Sequence, residues 1–162
     1  MDPIKISEKL ISFKSITPKS NGSLEYIKKI FVKNNFSCEL LKFGNPPVIN
    51  LFANYKGGAG PRICFAGHTD VVPPGDLANW KFNPFKPKVI NGNLYGRGAS
   101  DMKSAIGAFL SATIVQSKVE EGNFGNGTYL TFSFNSLSSK LDVSIKTIER
   151  CPLILKLFKT VG

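Results

Sequence analysis

"RICFAGHTD" occupies residues 62–70, and its reading decides the fold. Over 62–68 the stretch is apolar on both faces. That is the pattern of a central strand in a sheet covered on both sides. The strand ends at His68, the single histidine of the chain. In open α/β sheets ligands gather beyond the carboxyl ends of the strands. The histidine therefore stands where a site belongs. The plainer alternative is a satisfied polar residue at a strand end.

Upstream, "NLFANYK" (50–56) reads as a strand, joined to the first by the turn "GGAGP" (57–61). Before it come a strand "FSCELLKF" (36–43) and a loop "GNPPV" (44–48). Two helical patterns precede these. Residues 4–14 place Ile6, Leu10 and Phe13 on one face, and 23–35 place Leu24, Ile27 and Phe31 on another. "ITPKSNG" (16–22) breaks them apart, and Ser23 is the expected N-cap of the second.

Downstream, 69–86 is a long connection rich in Pro, Asp, Asn and Gly. Such a loop in a compact domain is usually functional. "KPKVINGNLYGRG" (86–98) reads as a hairpin around Asn91–Gly92–Asn93. "DMKSAIGAFLSATIVQSK" (101–118) reads as a helix with Ala105, Phe109 and Ala112 on one face. "GTYLTFSF" (127–134) alternates as a strand. Strand, helix, strand in this order predicts an α/β sheet with helices on its faces.

Composition narrows the class. At 162 residues and 42% hydrophobic, the chain can build one ordinary core. No apolar run approaches the ~18 residues of a membrane span, and the N-terminus lacks the pattern of a secretory signal. Cys38, Cys64 and Cys151 are odd in number and form no CxxC pair. Free thiols and a reducing cytoplasm are the expectation. The net charge of +10 raises nucleic-acid binding as a function class. The lysines are scattered, with no run denser than Lys28–Lys29, and most read as a solvated surface.

Two acidic anchors accompany the histidine. Asp70 follows His68 by two residues and can hold its ring, because a metal-bound histidine normally gives its other nitrogen to a carboxylate or carbonyl. In "LYGRGASDMKSA" (94–105), Gly96 and Gly98 permit close approach of backbone to a ligand. Asp101 there is either an ordinary helix N-cap or a carboxylate shared by two cations.

Taken together, "GHTDVVPPGD…W…PF…NGNLYGRGASDMK" resembles the metal-binding segment of the zinc-dependent aminoacylase and carboxypeptidase family. The resemblance covers roughly residues 4–134, with Trp80, Pro84–Phe85 and Gly96–Arg97–Gly98 in register. It implies a three-layer α/β/α zinc-hydrolase catalytic domain, incomplete here, in residues 1–134. It implies zinc as cofactor, two ions in the complete site, with cobalt as a possible substitute. His68 would ligate one zinc, Asp101 would bridge both, and Asp70 would be the catalytic carboxylate that orients His68. The substrate would be a small N-acyl amino acid. Within the family the loop "VVPPGDLANW" resembles the branch that removes succinate from N-succinyl-LL-2,6-diaminopimelate in lysine and cell-wall biosynthesis. Members are typically homodimers, through a domain absent from this sequence.

The pattern then departs. The family's adjacent glutamates, one a general base and one a zinc ligand, follow the strand after the Asp101 helix. Here that place reads "NSLSSKLDVS" (135–144), without glutamate. Glu120 and Glu121 precede the strand and read as a solvated helix end. The expectation for 135–162 is a divergent tail of a frameshifted, truncated or fused product, and for the chain an inactive fragment. The alternatives are another acyl-amino-acid hydrolase or metallopeptidase of the family, a non-catalytic metal- or partner-binding remnant, and a basic nucleic-acid binder.

Overall fold

A computed structural model describes residues 1–55, 64–119 and 128–132. Helix α1 (Pro3–Ser12) begins where the Asp2 side chain accepts from the backbone N–H groups of Ile4 and Lys5, with Pro3 in the first turn. That is a standard N-cap, satisfying amides with no partner inside the helix. Helix α2 (Ser23–Lys33) starts differently. Gly22, in the left-handed region at φ 89°, is its N-cap, and Ser23 is already helical. The Ser23 hydroxyl bonds Thr69 Oγ1 at 2.5 Å instead of capping the helix. The expected cap at Ser23 is therefore corrected.

Strands β1 (Ser37–Phe43) and β2 (Val48–Tyr55) form an antiparallel hairpin, with Phe43 opposite Val48. Strand β2 thus starts earlier than its apolar run suggested. The two prolines stay in the turn, where their missing N–H groups harm no ladder. Strand β3 (Cys64–Gly67) follows, then a two-stranded hairpin of β4 (Lys88–Ile90) and β5 (Asn93–Tyr95), as expected. Helix α3 (Ser104–Val119) and β6 (Thr128–Phe132) complete the described elements.

The sheet order is β1-β2-β6-β3. Strand β6 runs antiparallel to β2 and parallel to β3. One expectation changes. Strands β2 and β3 are not neighbours, because the crossover through α3 inserts β6 between them. Among the described strands β3 is terminal. Residues 135–162, Cys151, Glu120 and Glu121 lie outside the described residues.

Ile6 and Leu10 of α1, Leu24, Ile27 and Phe31 of α2, and Ile106 and Leu110 of α3 join Leu51 and Ala53 in one buried cluster. Leu51 and Ala53 share one face of β2, so the three helices form one layer on that face. The buried face of α3 is Ile106, Leu110 and Ile114. Of Ala105, Phe109 and Ala112, read as one face, the two alanines are exposed and Phe109 stacks on Phe65 with centroids 4.1 Å apart.

Helices α1 and α3 meet at Gly107. A methyl there would overlap Ser7 Oγ and lie 2.9 Å from the Pro3 carbonyl oxygen. Alanine favours a helix by about 1 kcal/mol over glycine. Overpacking against backbone costs about 1–3 kcal/mol, and the carbonyl cannot swing aside. Gly107→Ala is expected to lower the urea midpoint of unfolding. A raised midpoint would show that α1 does not seat on this glycine.

Candidate metal centre

His68 is the first residue after β3, and Asp101 lies in the segment between β5 and α3. The structure brings them together. His68 Nε2 is 3.1 Å from Asp101 Oδ1. On its other side His68 Nδ1 is 3.1 Å from the Asp70 carbonyl oxygen and 3.4 Å from Asp70 Oδ1. Asp101 is open to solvent at 83% side-chain exposure, whereas Asp70 is buried at 8%. One carboxylate faces outward and the other holds the ring from behind.

Asp101 is not an N-cap. Its φ/ψ of −129° and 100° are extended, and α3 begins three residues later. The preceding turn depends on Gly98, at φ 86°. A Cβ at Gly98 would also lie 2.8 Å from Val71 Cγ1, so the His68 and Asp101 segments touch through this glycine.

The contact of Nδ1 with the accepting Asp70 carboxylate raises the His68 pKa to about 9. Burial opposes that rise, while the Asp70 carbonyl and the charges of Asp70 and Asp101 add to it. At neutral pH the metal-free ring is therefore an imidazolium that donates from both nitrogens. A cation has to displace the Nε2 proton, as ligands must be deprotonated to bind.

An imidazole nitrogen and a carboxylate oxygen converging at one point, with the opposite ring nitrogen anchored, fit a divalent cation as two of its ligands. Among the described residues no group of three His, Cys, Asp or Glu side chains is arranged to hold one ion.

The pair opens into a cavity of about 900 Å³, whose walls include Thr17, Val71, Pro73, Trp80 and Arg97. Arg97 is stacked 4.8 Å over the Trp80 ring. Arg97 Nη2 and Trp80 Nε1 both donate to the Pro74 carbonyl, at 3.2 Å and 2.9 Å. These two residues pin the proline loop as a wall. Val71, Val72, Pro73 and Trp80 make much of that wall apolar, in keeping with a small-molecule site that has few orienting groups.

Two residues beside the site escaped the sequence reading. Thr17, read only as part of a chain break, donates to Asp70 Oδ2 at 2.5 Å. Lys103, counted among the scattered surface lysines, is fully buried, and its Nζ donates to the Phe13 carbonyl at 3.0 Å. No sequence signal marks Thr17. Lys103 follows Asp101 by two residues at the mouth of an apolar helix, which was a signal available to be used.

Residues 64–125 match the sequence profile of Peptidase family M20/M25/M40. Over 114 residues the chain is 56% identical to a succinyl-diaminopimelate desuccinylase of Wolbachia pipientis wMel, covering 70% of this chain and 28% of that protein. Human carnosine dipeptidase 1 shares the fold, with a TM-score of 0.73 and 18% identity over 91% of this chain and 34% of its own. So does a Bacillus subtilis dinuclear metal-binding peptidase of the M20 family, with a TM-score of 0.59 and 14% identity over 90% of this chain and 38% of its own. The fold is thus that of an M20 peptidase catalytic domain, in part. Over its N-terminal portion the chain is similar to the succinyl-diaminopimelate desuccinylases, and it spans 28% of the length of the one from Wolbachia.

Proposed function

We propose that this chain carries two zinc ligands of a dizinc amide-hydrolase site, His68 and the bridging Asp101, with Asp70 as the carboxylate that orients His68. The observation that carries the reading is the convergence of His68 Nε2 and Asp101 Oδ1 at 3.1 Å, with Nδ1 fixed by Asp70. When bound, zinc lowers the pKa of its water and polarises an amide carbonyl. The chain's own residues set the stage for this. Asp70 accepts from Nδ1 and so keeps Nε2 on the Asp101 side, where loss of its proton would free a lone pair for a cation held between the two. The loop pinned by Trp80 and Arg97 walls a cavity roomy enough for a small acyl amino acid. The sequence resemblance favours N-succinyl-LL-2,6-diaminopimelate as substrate of the complete site, in lysine and cell-wall biosynthesis, and a homodimeric whole protein in the cytoplasm.

This chain alone is read as an inactive fragment, with residues 1–134 the hydrolase portion and 135–162 a divergent tail. A second reading, a non-catalytic metal- or partner-binding remnant, is favoured by the missing glutamate pair. Another acyl-amino-acid hydrolase or metallopeptidase specificity stays within the first reading.

Zinc binding tests the reading. A histidine and a carboxylate are two ligands, where structural zinc takes four and catalytic zinc commonly three. After dialysis the chain is expected to retain well under one zinc ion. Titration should show weak binding that His68→Ala and Asp101→Ala both remove. Two retained ions would mean that further ligands exist in the chain. Binding unchanged in His68→Ala would sink the assignment.

A further inference from the structure

The segment joining α1 to α2 is stitched to the metal-site loop along its length. Val71 N donates to the Ser15 carbonyl at 2.9 Å, and Thr17 N donates to the Val71 carbonyl at 3.1 Å. Ile16 and Val71 form a parallel bridge. The Ser15 hydroxyl donates to the Thr69 carbonyl at 2.7 Å. Lys103, from the Asp101 segment, donates to the Phe13 carbonyl at the start of the same stretch. Residues 13–17 are therefore a common platform under both segments that carry the site.

At its end Thr17 does something the backbone bonds do not. Its hydroxyl donates to Asp70 Oδ2 at 2.5 Å, a short contact of the charge-assisted kind. Asp70 Oδ1 lies 3.4 Å from His68 Nδ1 as an ion-pair contact and makes no hydrogen bond among the described residues, while Nδ1 bonds the Asp70 carbonyl oxygen at 3.1 Å. With Oδ2 held, the carboxylate keeps Oδ1 beside the ring. Without the hydroxyl, rotation of the carboxylate would leave Nδ1 with the Asp70 backbone carbonyl alone. We propose that Thr17 is a positioning residue: it fixes the Asp70 carboxylate, and through it the ring of His68, so that Nε2 points into the cavity toward Asp101. The inference rests on the reading of His68 as a metal ligand. The bond from Thr17 to Asp70, however, exists in the metal-free protein and can be tested there.

The test uses the full 162-residue chain. Having a single histidine, it gives one imidazole Nδ1–H resonance, read by NMR without metal. In the wild type that proton is expected far downfield and slow to exchange with water. In Thr17→Val, which keeps shape and loses the hydroxyl, it should move upfield and exchange faster, while Thr17→Ser restores it. Zinc affinity should fall about 10-fold in Thr17→Val, as for other partners that orient a metal ligand, and recover in Thr17→Ser. An unchanged Nδ1–H signal in folded Thr17→Val overturns the proposal. If Thr17→Val does not fold, the wild type decides: a slowly exchanging Thr17 hydroxyl proton supports the proposal, and its absence overturns it. Loss of zinc binding in His68→Ala is read separately, so failure of the metal assignment and failure of the Thr17 role are told apart.

Discussion

The purified 162-residue chain is expected to release no succinate from N-succinyl-diaminopimelate, with or without added zinc. Amide hydrolysis needs a proton taken from the attacking water and one delivered to the leaving nitrogen. A positioned carboxylate doing this contributes about 10²–10⁴-fold. Asp70 cannot serve, because it is buried with Oδ2 on Thr17 and Oδ1 on His68. Asp101 is proposed as a metal ligand. After β6 the sequence "SFNSLSSKLDVS" (133–144) offers only Asp142, well beyond the end of the strand. With one histidine in the whole sequence, the metal itself is expected to be weakly held, and the two defects multiply. Succinate release is measured against a His68→Ala chain as the contamination control. Robust turnover that vanishes in that control would refute the inactive-fragment reading and require a base and ligands elsewhere in the chain.

The sequence showed the site more clearly than the topology around it. His68 was legible because an apolar strand ends on it, and a polar residue there is exposed to whatever binds at the sheet edge. Asp101 was legible by its glycines: Gly98 has to turn the chain at φ 86° with Val71 against it. The face of α3 was not legible. "AIGAFLSATIV" is apolar nearly all round, so periodicity selects no side. What buries Ile106 and Leu110 is contact with α1 and the sheet, which no local pattern contains. The place of β6 between β2 and β3 is a fact of long-range pairing and leaves no trace in either strand. Thr17 was hidden for a similar reason. Its role lies in a bond to a residue 53 positions away, and threonine beside proline reads locally as a turn.

Lys103 separates packing from charge in the same neighbourhood. It has no solvent exposure, and its Cγ and Cδ fill the space beside Gly98. Burial lowers its pKa to about 8, with the charge of Asp70 opposing that fall. Lys103→Ala removes the packed stem and leaves a cavity, a change worth about 2–5 kcal/mol for comparable truncations. It also leaves the Phe13 carbonyl with only a 3.5 Å contact from Ser15 Oγ. Lys103→Met keeps the stem and loses the amine, hence one hydrogen bond worth about 1 kcal/mol net, offset by the charge no longer buried. Urea unfolding is therefore expected to show a loss of about 3 kcal/mol in Lys103→Ala and a much smaller change in Lys103→Met. The pH dependence has a definite sign. Between about 8 and the ordinary lysine value of 10.5, the unfolded chain binds the Lys103 proton more tightly than the folded one. Stability conferred by this group then rises with pH. Measured as wild type minus Lys103→Met, so that groups titrating in both proteins cancel, the difference should climb through that window and level off above it. A difference that stays flat would show that Lys103 is not held in a dry environment. Equal midpoints for wild type and Lys103→Ala would show that its stem does not pack between the two segments of the site.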